Sequence, residues 1–103
     1  MISVTPNAAE QIRASATQGG MENMPLRVAV TSQQDGSFHY ALGFDDKKHE
    51  GDQTFQSEGI TIVVAPPSMD KLTGTVIDYV DIEGNMEIIF INPNDPAQKE
   101  NQA

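Results

Sequence analysis

Gln34-Asp35-Gly36-Ser37-Phe38-His39-Tyr40-Ala41-Leu42-Gly43-Phe44-Asp45-Asp46 reads as a turn, a strand and an acidic exit. Phe38, Tyr40, Leu42 and Phe44 alternate with His39, Ala41 and Gly43, the period of two that puts one set on each face of a pleated strand. Upstream, Leu26, Val28 and Val30 alternate in the same way with Arg27, Ala29 and Thr31. The turn-forming Gln34-Asp35-Gly36 between the two runs predicts a hairpin with one apolar face that needs a cover.

Toward the amino terminus, Ile2-Ser3-Val4 begins as a short strand, Thr5 stands as a helix N-cap and Pro6 takes the first helical position, where a missing amide is no loss. Ala8, Ala9, Ile12 and Ala16 form an apolar stripe at helical spacing, and Gly19-Gly20 stops it. This small, Ala-lined helix can lie close on a sheet. Toward the carboxyl terminus, Asp45 to Asp52 reads as an exposed polar loop with Phe55 as its anchor to the core. Ile60-Thr61-Ile62-Val63-Val64-Ala65 is apolar on both faces, so a central strand is expected, ended by Pro66-Pro67. Ser68 to Leu72 predicts one helical turn before Gly74. Val76 to Ile82 and Met86 to Ile91 then form a hairpin reversed by Glu83-Gly84-Asn85. One amino-terminal helix followed by short strands predicts an α+β fold, a mostly β body with the helix packed on its sheet. The domain is expected over residues 1–93, and the polar stretch 94–103, which contains Pro96, is expected to be a disordered tail.

At 103 residues the chain suits one domain with a single modest core. It has no cysteine, which excludes disulfides and every thiolate metal site on its own side chains. Fifteen acidic residues against six basic give a net charge of -9, a field that repels phosphate backbones and anionic lipid. Neither nucleic acid nor a membrane is therefore expected as a partner. With no secretory leader pattern and no apolar run long enough to span a bilayer, the expected address is cytoplasmic.

Leu26-Arg27-Val28-Ala29-Val30, Tyr40-Ala41-Leu42-Gly43-Phe44-Asp45-Asp46, Ile77-Asp78-Tyr79-Val80 and Phe90-Ile91-Asn92-Pro93-Asn94, in that order, resemble the HesB-like, A-type (IscA-like) iron-sulfur carrier family over nearly the whole chain. The resemblance implies a HesB-like domain. It also implies work in iron-sulfur cluster assembly, where such carriers hold iron or a cluster as dimers or higher oligomers and pass it to client proteins. The family uses three cysteines, and alignment places them at Asp35, Lys99 and Asn101 of this chain, none of them a thiolate. A hard carboxylate, a cationic amine and a neutral amide are poor substitutes for soft sulfur. No cofactor is therefore expected, with iron held by oxygen and nitrogen ligands as the alternative. Met21-Glu22-Asn23-Met24-Pro25 and Asn94-Asp95-Pro96 resemble a cysteine-free, DsrR-like branch found with the reverse dissimilatory sulfite reductase system of sulfur-oxidising bacteria. That resemblance implies a link to sulfur oxidation.

The candidate site residues follow from this. Asp35 and His39 are near in sequence, and the pair contributed by each of two subunits is the one candidate iron site, although a lone His on a polar strand face is more often a surface residue. Asp45, Asp46, His49, Glu50 and Asp52 gather acidic oxygens without the alternation or glycine of an EF-hand loop, and lysines at 47 and 48 weaken a cation site. Asp78 and Asp81 point to opposite strand faces, Ser68 near Asp70 lacks a nucleophile elbow, and no phosphate-binding loop is present. The expectation is a non-enzymatic protein acting by protein-protein interaction. Asp35, His39, Asp45, Asp46, His49, Glu50 and Asp52 are its candidate contact residues, toward a partner from the iron-sulfur or sulfur-oxidation machinery. The chain itself is expected to be a monomer or weak dimer.

Overall fold

A computed structural model describes residues 2–47 and 49–96. Its elements run β1 (Ser3–Val4), α1 (Pro6–Gly19), β2 (Leu26–Ser32), β3 (Phe38–Phe44), β4 (Gln53–Ser57), β5 (Ile60–Val64), α2 (Pro66–Leu72), β6 (Val76–Ile82) and β7 (Asn85–Ile91). The mostly β body with one long helix packed on it is the expected α+β arrangement. Thr5 caps α1 by accepting from the Ala8 amide at 3.2 Å and donates its own hydroxyl to Asp78 Oδ1 at 2.5 Å, so the cap also ties the helix to β6. Gly20 ends the helix at φ 70°, a left-handed conformation that costs glycine nothing.

The strands form two sheets, ordered β3-β2-β5-β4 and β1-β6-β7. Strand β5 lies inside the larger sheet, parallel to β2 and antiparallel to β4, as its two-sided apolar sequence requires. Sequence reading leaves Gln53 to Ser57 without a strand, with Phe55 only an anchor, and the structure corrects this. That segment is β4, joined to β5 by a tight turn in which Glu58 and Gly59 have φ of 50° and 79°. With one large apolar residue in five, its alternation carries little signal; its pairing with β5 supplies the order. The turn predicted as Ser68 to Leu72 extends back to Pro66, giving a seven-residue α2.

Two serine hydroxyls complete the frame where the ladders stop. Strand β5 pairs with β2 only at Leu26 and Arg27, and beyond that point Ser68 Oγ accepts from the Val30 amide at 3.1 Å and donates to the Val30 carbonyl at 3.3 Å. Ser57 Oγ does the same for Val4, at 3.0 and 3.4 Å, linking β4 to β1 and so one sheet to the other. Buried backbone groups left unpaired would cost a full desolvation penalty, which explains a hydroxyl at each place. The core they enclose joins Ile2, Ala8, Ala9 and Ile12 to Val28, Ile62, Val64, Leu72 and Ile77. Across the molecule the outer strands approach through side chains: the Tyr40 ring of β3 stacks on Phe90 of β7 with centroids 4.5 Å apart.

Candidate functional site

Strands β2 and β3 pair in one unbroken register from Leu26 opposite Phe44 to Ser32 opposite Phe38. This fixes the turn that carries Asp35. Asp35 Oδ1 accepts from the Ser37 amide at 3.0 Å and from the Ser37 hydroxyl at 2.6 Å, and these bonds, the hydroxyl's first, hold its carboxyl below the usual carboxylate range. The side chain is exposed but shapes its own turn. His39 is exposed opposite Thr31 on the face away from the core. Among the described residues, no group of three or more His, Cys, Asp or Glu is placed to hold a metal ion.

The acidic loop is organised by a residue that sequence reading leaves out. Arg27, on the outer face of β2, donates through Nε to Asp45 Oδ2 at 3.2 Å, through Nη2 to Asp52 Oδ2 at 2.7 Å, and again through Nη2 to the Lys47 carbonyl at 3.1 Å. The Lys47 amide donates to Asp45 Oδ1 and the His49 amide to Asp52 Oδ2. Both carboxyls are held below their ordinary range, Asp45 chiefly by the Lys47 amide and Asp52 chiefly by the guanidinium, while Arg27 is raised, first by Asp52. Asp45 and Asp52 therefore clamp the loop, whereas Asp46, His49 and Glu50 are exposed on it. Asp46, His49, Asp52, Thr54 and Val63 help line a groove of about 560 Å³ beneath the loop. The alternation of β2 identifies Arg27 as outward-facing, but its partners lie 18 and 25 residues away and leave no local signal.

A third cluster also escapes sequence reading. Buried Asn92 donates through Nδ2 to the Lys71 carbonyl at 2.8 Å and to the Tyr40 hydroxyl at 3.2 Å, while that hydroxyl donates to buried Asp95 Oδ2 at 2.7 Å. Asn94 adds a bond from Nδ2 to the Thr73 carbonyl at 2.7 Å. Burial, then the Asp95 carboxylate, push the Tyr40 phenol well above its ordinary range. Asn94 and Asp95, placed by sequence at the start of the tail, are thus tied to β3 and to the end of α2. Lys99 and Asn101 lie outside the described residues.

A family profile described as iron-sulphur cluster biosynthesis matches residues 1–97. The chain is 40% identical over 77 residues to a protein of Aquifex aeolicus, covering 75% of this chain and 66% of that one. It is 35% identical over 91 residues to the iron-sulfur cluster insertion protein ErpA of Escherichia coli, covering 87% and 79%. Among solved structures, IscA with the 2Fe-2S cluster superposes with a TM-score of 0.78 at 28% identity, covering 91% of this chain and 86% of that one. The expectation of no cofactor, or of iron alone, is corrected by that likeness: the group to be accounted for is an iron-sulfur cluster. The side chains present do not fit it in the thiolate manner, since the chain has no cysteine and the carboxylate at position 35 is engaged by Ser37. From a profile spanning almost the whole length and relatives that share its fold, the chain belongs to the iron-sulphur cluster biosynthesis family.

Proposed function

We propose that this protein is a non-enzymatic, cytoplasmic component of iron-sulfur cluster biosynthesis that acts by docking on other proteins, with sulfur oxidation as its setting. Any thiolate that holds a cluster in such a complex comes from the partner, because this chain has none to offer. The observation that carries the reading is the acidic loop: Arg27 holds it in a definite shape through Asp45, Asp52 and the Lys47 carbonyl, and it presents exposed Asp46, His49 and Glu50. A loop that needed only to be soluble would have no use for such a clamp. Asp45 and Asp52 act as positioning residues, while Asp35 and His39 lie at the opposite, turn end of the β2–β3 hairpin and offer a separate contact. The sulfur-oxidation setting rests on the likeness of residues 21–25 and 94–96 to the DsrR-like branch.

The test is direct binding between this protein and a purified ErpA-type carrier of its own host, with and without the carrier's cluster, followed by calorimetry and size-exclusion chromatography. A one-to-one complex weakened by the double substitution Asp46→Ser and Glu50→Ser supports the reading. Absence of a complex in both states overturns it, as does this protein emerging alone with stoichiometric iron and labile sulfide.

A further inference from the structure

The larger sheet ends in β3 and β4 and the smaller in β1 and β7; β4 and β1 are tied to each other through Ser57 and Val4, and the remaining edges, β3 and β7, are guarded differently. Strand β7 carries Glu87, whereas residues 38–44 contain no Asp, Glu, Lys, Arg or Pro. Proteins ordinarily protect a long edge with charge, proline, a bulge or a cover. Strand β3 pairs residue for residue along all seven positions without a bulge. The Asp45 amide donates to the Pro25 carbonyl at 3.0 Å and the Gln33 amide to the Ser37 carbonyl at 2.8 Å. Alternating inward from either end of this antiparallel register, Gly43, Ala41 and His39 bond to β2, and Phe44, Leu42, Tyr40 and Phe38 turn their N–H and C=O groups outward.

Three further features fit this edge to a partner strand. Leu42 is 40% exposed, although its pair mate Val28 is fully buried. The small side chains of Ala29, Ala41 and Gly43 leave a hollow of 280 Å³ on the outer face, bounded by Leu42 and Phe44, where a side chain of an added strand would sit. The strand is also held rigid, because Tyr40 is stacked on Phe90 and bonded to Asp95, so little ordering remains to be done on binding. Charge selects the occupant. Two copies of this chain meeting edge to edge bring together two net charges of -9, which guards the edge against self-pairing as lysines would elsewhere. A strand of opposite charge meets no such barrier.

We propose that the edge of β3, which among the described residues pairs only with β2, accepts, by strand addition, an extended segment of a protein partner that alternates apolar and small polar residues and is flanked by Lys or Arg. This deepens the docking reading above by naming the edge and the chemistry of its occupant. The test uses a synthetic peptide of alternating Val and Thr with two lysines at each end, and a twin with glutamates in their place, followed by NMR and amide exchange on the intact protein. The lysine-ended peptide is expected to slow exchange at Phe38, Tyr40, Leu42 and Phe44, and the twin to bind about tenfold or more weakly at low salt. Leu42→Pro, which removes an outward amide together with the leucine side chain, and Leu42→Lys, which keeps the amide and repels the peptide, each abolish binding. Protection of those four amides in the free protein, equal binding of the twin, protection elsewhere, a concentration-dependent dimer or no binding overturns the proposal. A carrier complex that survives Leu42→Lys sinks the edge and leaves the docking reading standing; loss of every carrier complex sinks that reading itself.

Discussion

Thr75 is fully buried, and its Oγ1 has no hydrogen-bond partner among the described residues. Its backbone is well used, with the amide donating to the Leu72 carbonyl and the carbonyl accepting from Ser3, each at 3.0 Å. Only the hydroxyl is out of place. Thr75→Val keeps the branched shape and removes the unsatisfied oxygen, so a gain of about 1 kcal/mol in urea unfolding is expected; a loss would reveal a hidden partner for the hydroxyl. Tyr40 is the opposite case, because its hydroxyl is shared by Asp95 and Asn92. Its folded pKa lies above the ordinary 10.0, so the folded state keeps a proton that the unfolded chain releases. The stability this contributes is present below about pH 10 and is lost as pH rises past that value. Tyr40→Phe is expected to cost about 1–3 kcal/mol at neutral pH and to flatten the alkaline limb of a denaturation series. An unchanged limb would remove Tyr40 as its source.

Two of the hairpins are closed by the same dipeptide, Glu58-Gly59 and Glu83-Gly84, with both residues of each at positive φ. That is the turn whose twist matches paired strands, and it suits Asn or Asp better than Glu in the first position. Glu83, at φ 51°, sits where an L side chain with no local hydrogen bond to offer is strained. Glu83→Asn is expected to stabilise the protein by about 0.5–1 kcal/mol in thermal or urea unfolding. A destabilised variant would mean that the glutamate contributes something beyond the turn. The second hairpin is legible in sequence because β-branched runs flank it. The first is not, since Gln53 to Ser57 holds a single large apolar residue and shows its strand character only against β5. Helix α1 is legible for the converse reason: its cap, its stripe and its terminating glycine are all local, and each agrees with the others.

Over the molecule as a whole, a net charge of -9 opposes compaction, while Arg27 with Asp45 and Asp52 favours it locally. Added salt screens both effects. Surface ion pairs contribute only about 0–1 kcal/mol each, and the uncompensated acids are many, so self-repulsion outweighs the clamp. The melting temperature is therefore expected to rise between low and physiological salt at neutral pH; a fall would put the Arg27 clamp first. Acid acts in the other direction. Asp35, Asp45 and Asp52 have folded pKa values below the ordinary 3.8, so their contribution is present above that value and fades as pH falls below it. Below about pH 4, the amides of residues 45–47 and 49–52 are expected to lose protection before the core opens, and a uniform loss would show that the clamp and the core unfold as one.

Whatever depends on neighbours along the chain could be read before any fold was known. The capped helix, the alternating strands, the two-sided central strand and the glycine turns all follow from local periods of 3.6 and 2 and from backbone sterics. The absence of thiolates needs no structure at all. Only in three dimensions does Arg27 clamp the loop from 25 residues away and Tyr40 bind Asp95 across 55 residues. The stitching of strands by Ser57 and Ser68 and the place of β3 at the edge of its sheet likewise emerge only there. These contacts join groups distant along the chain, whose meeting is set by how sheets and helices close around a common core, and no local period carries that information.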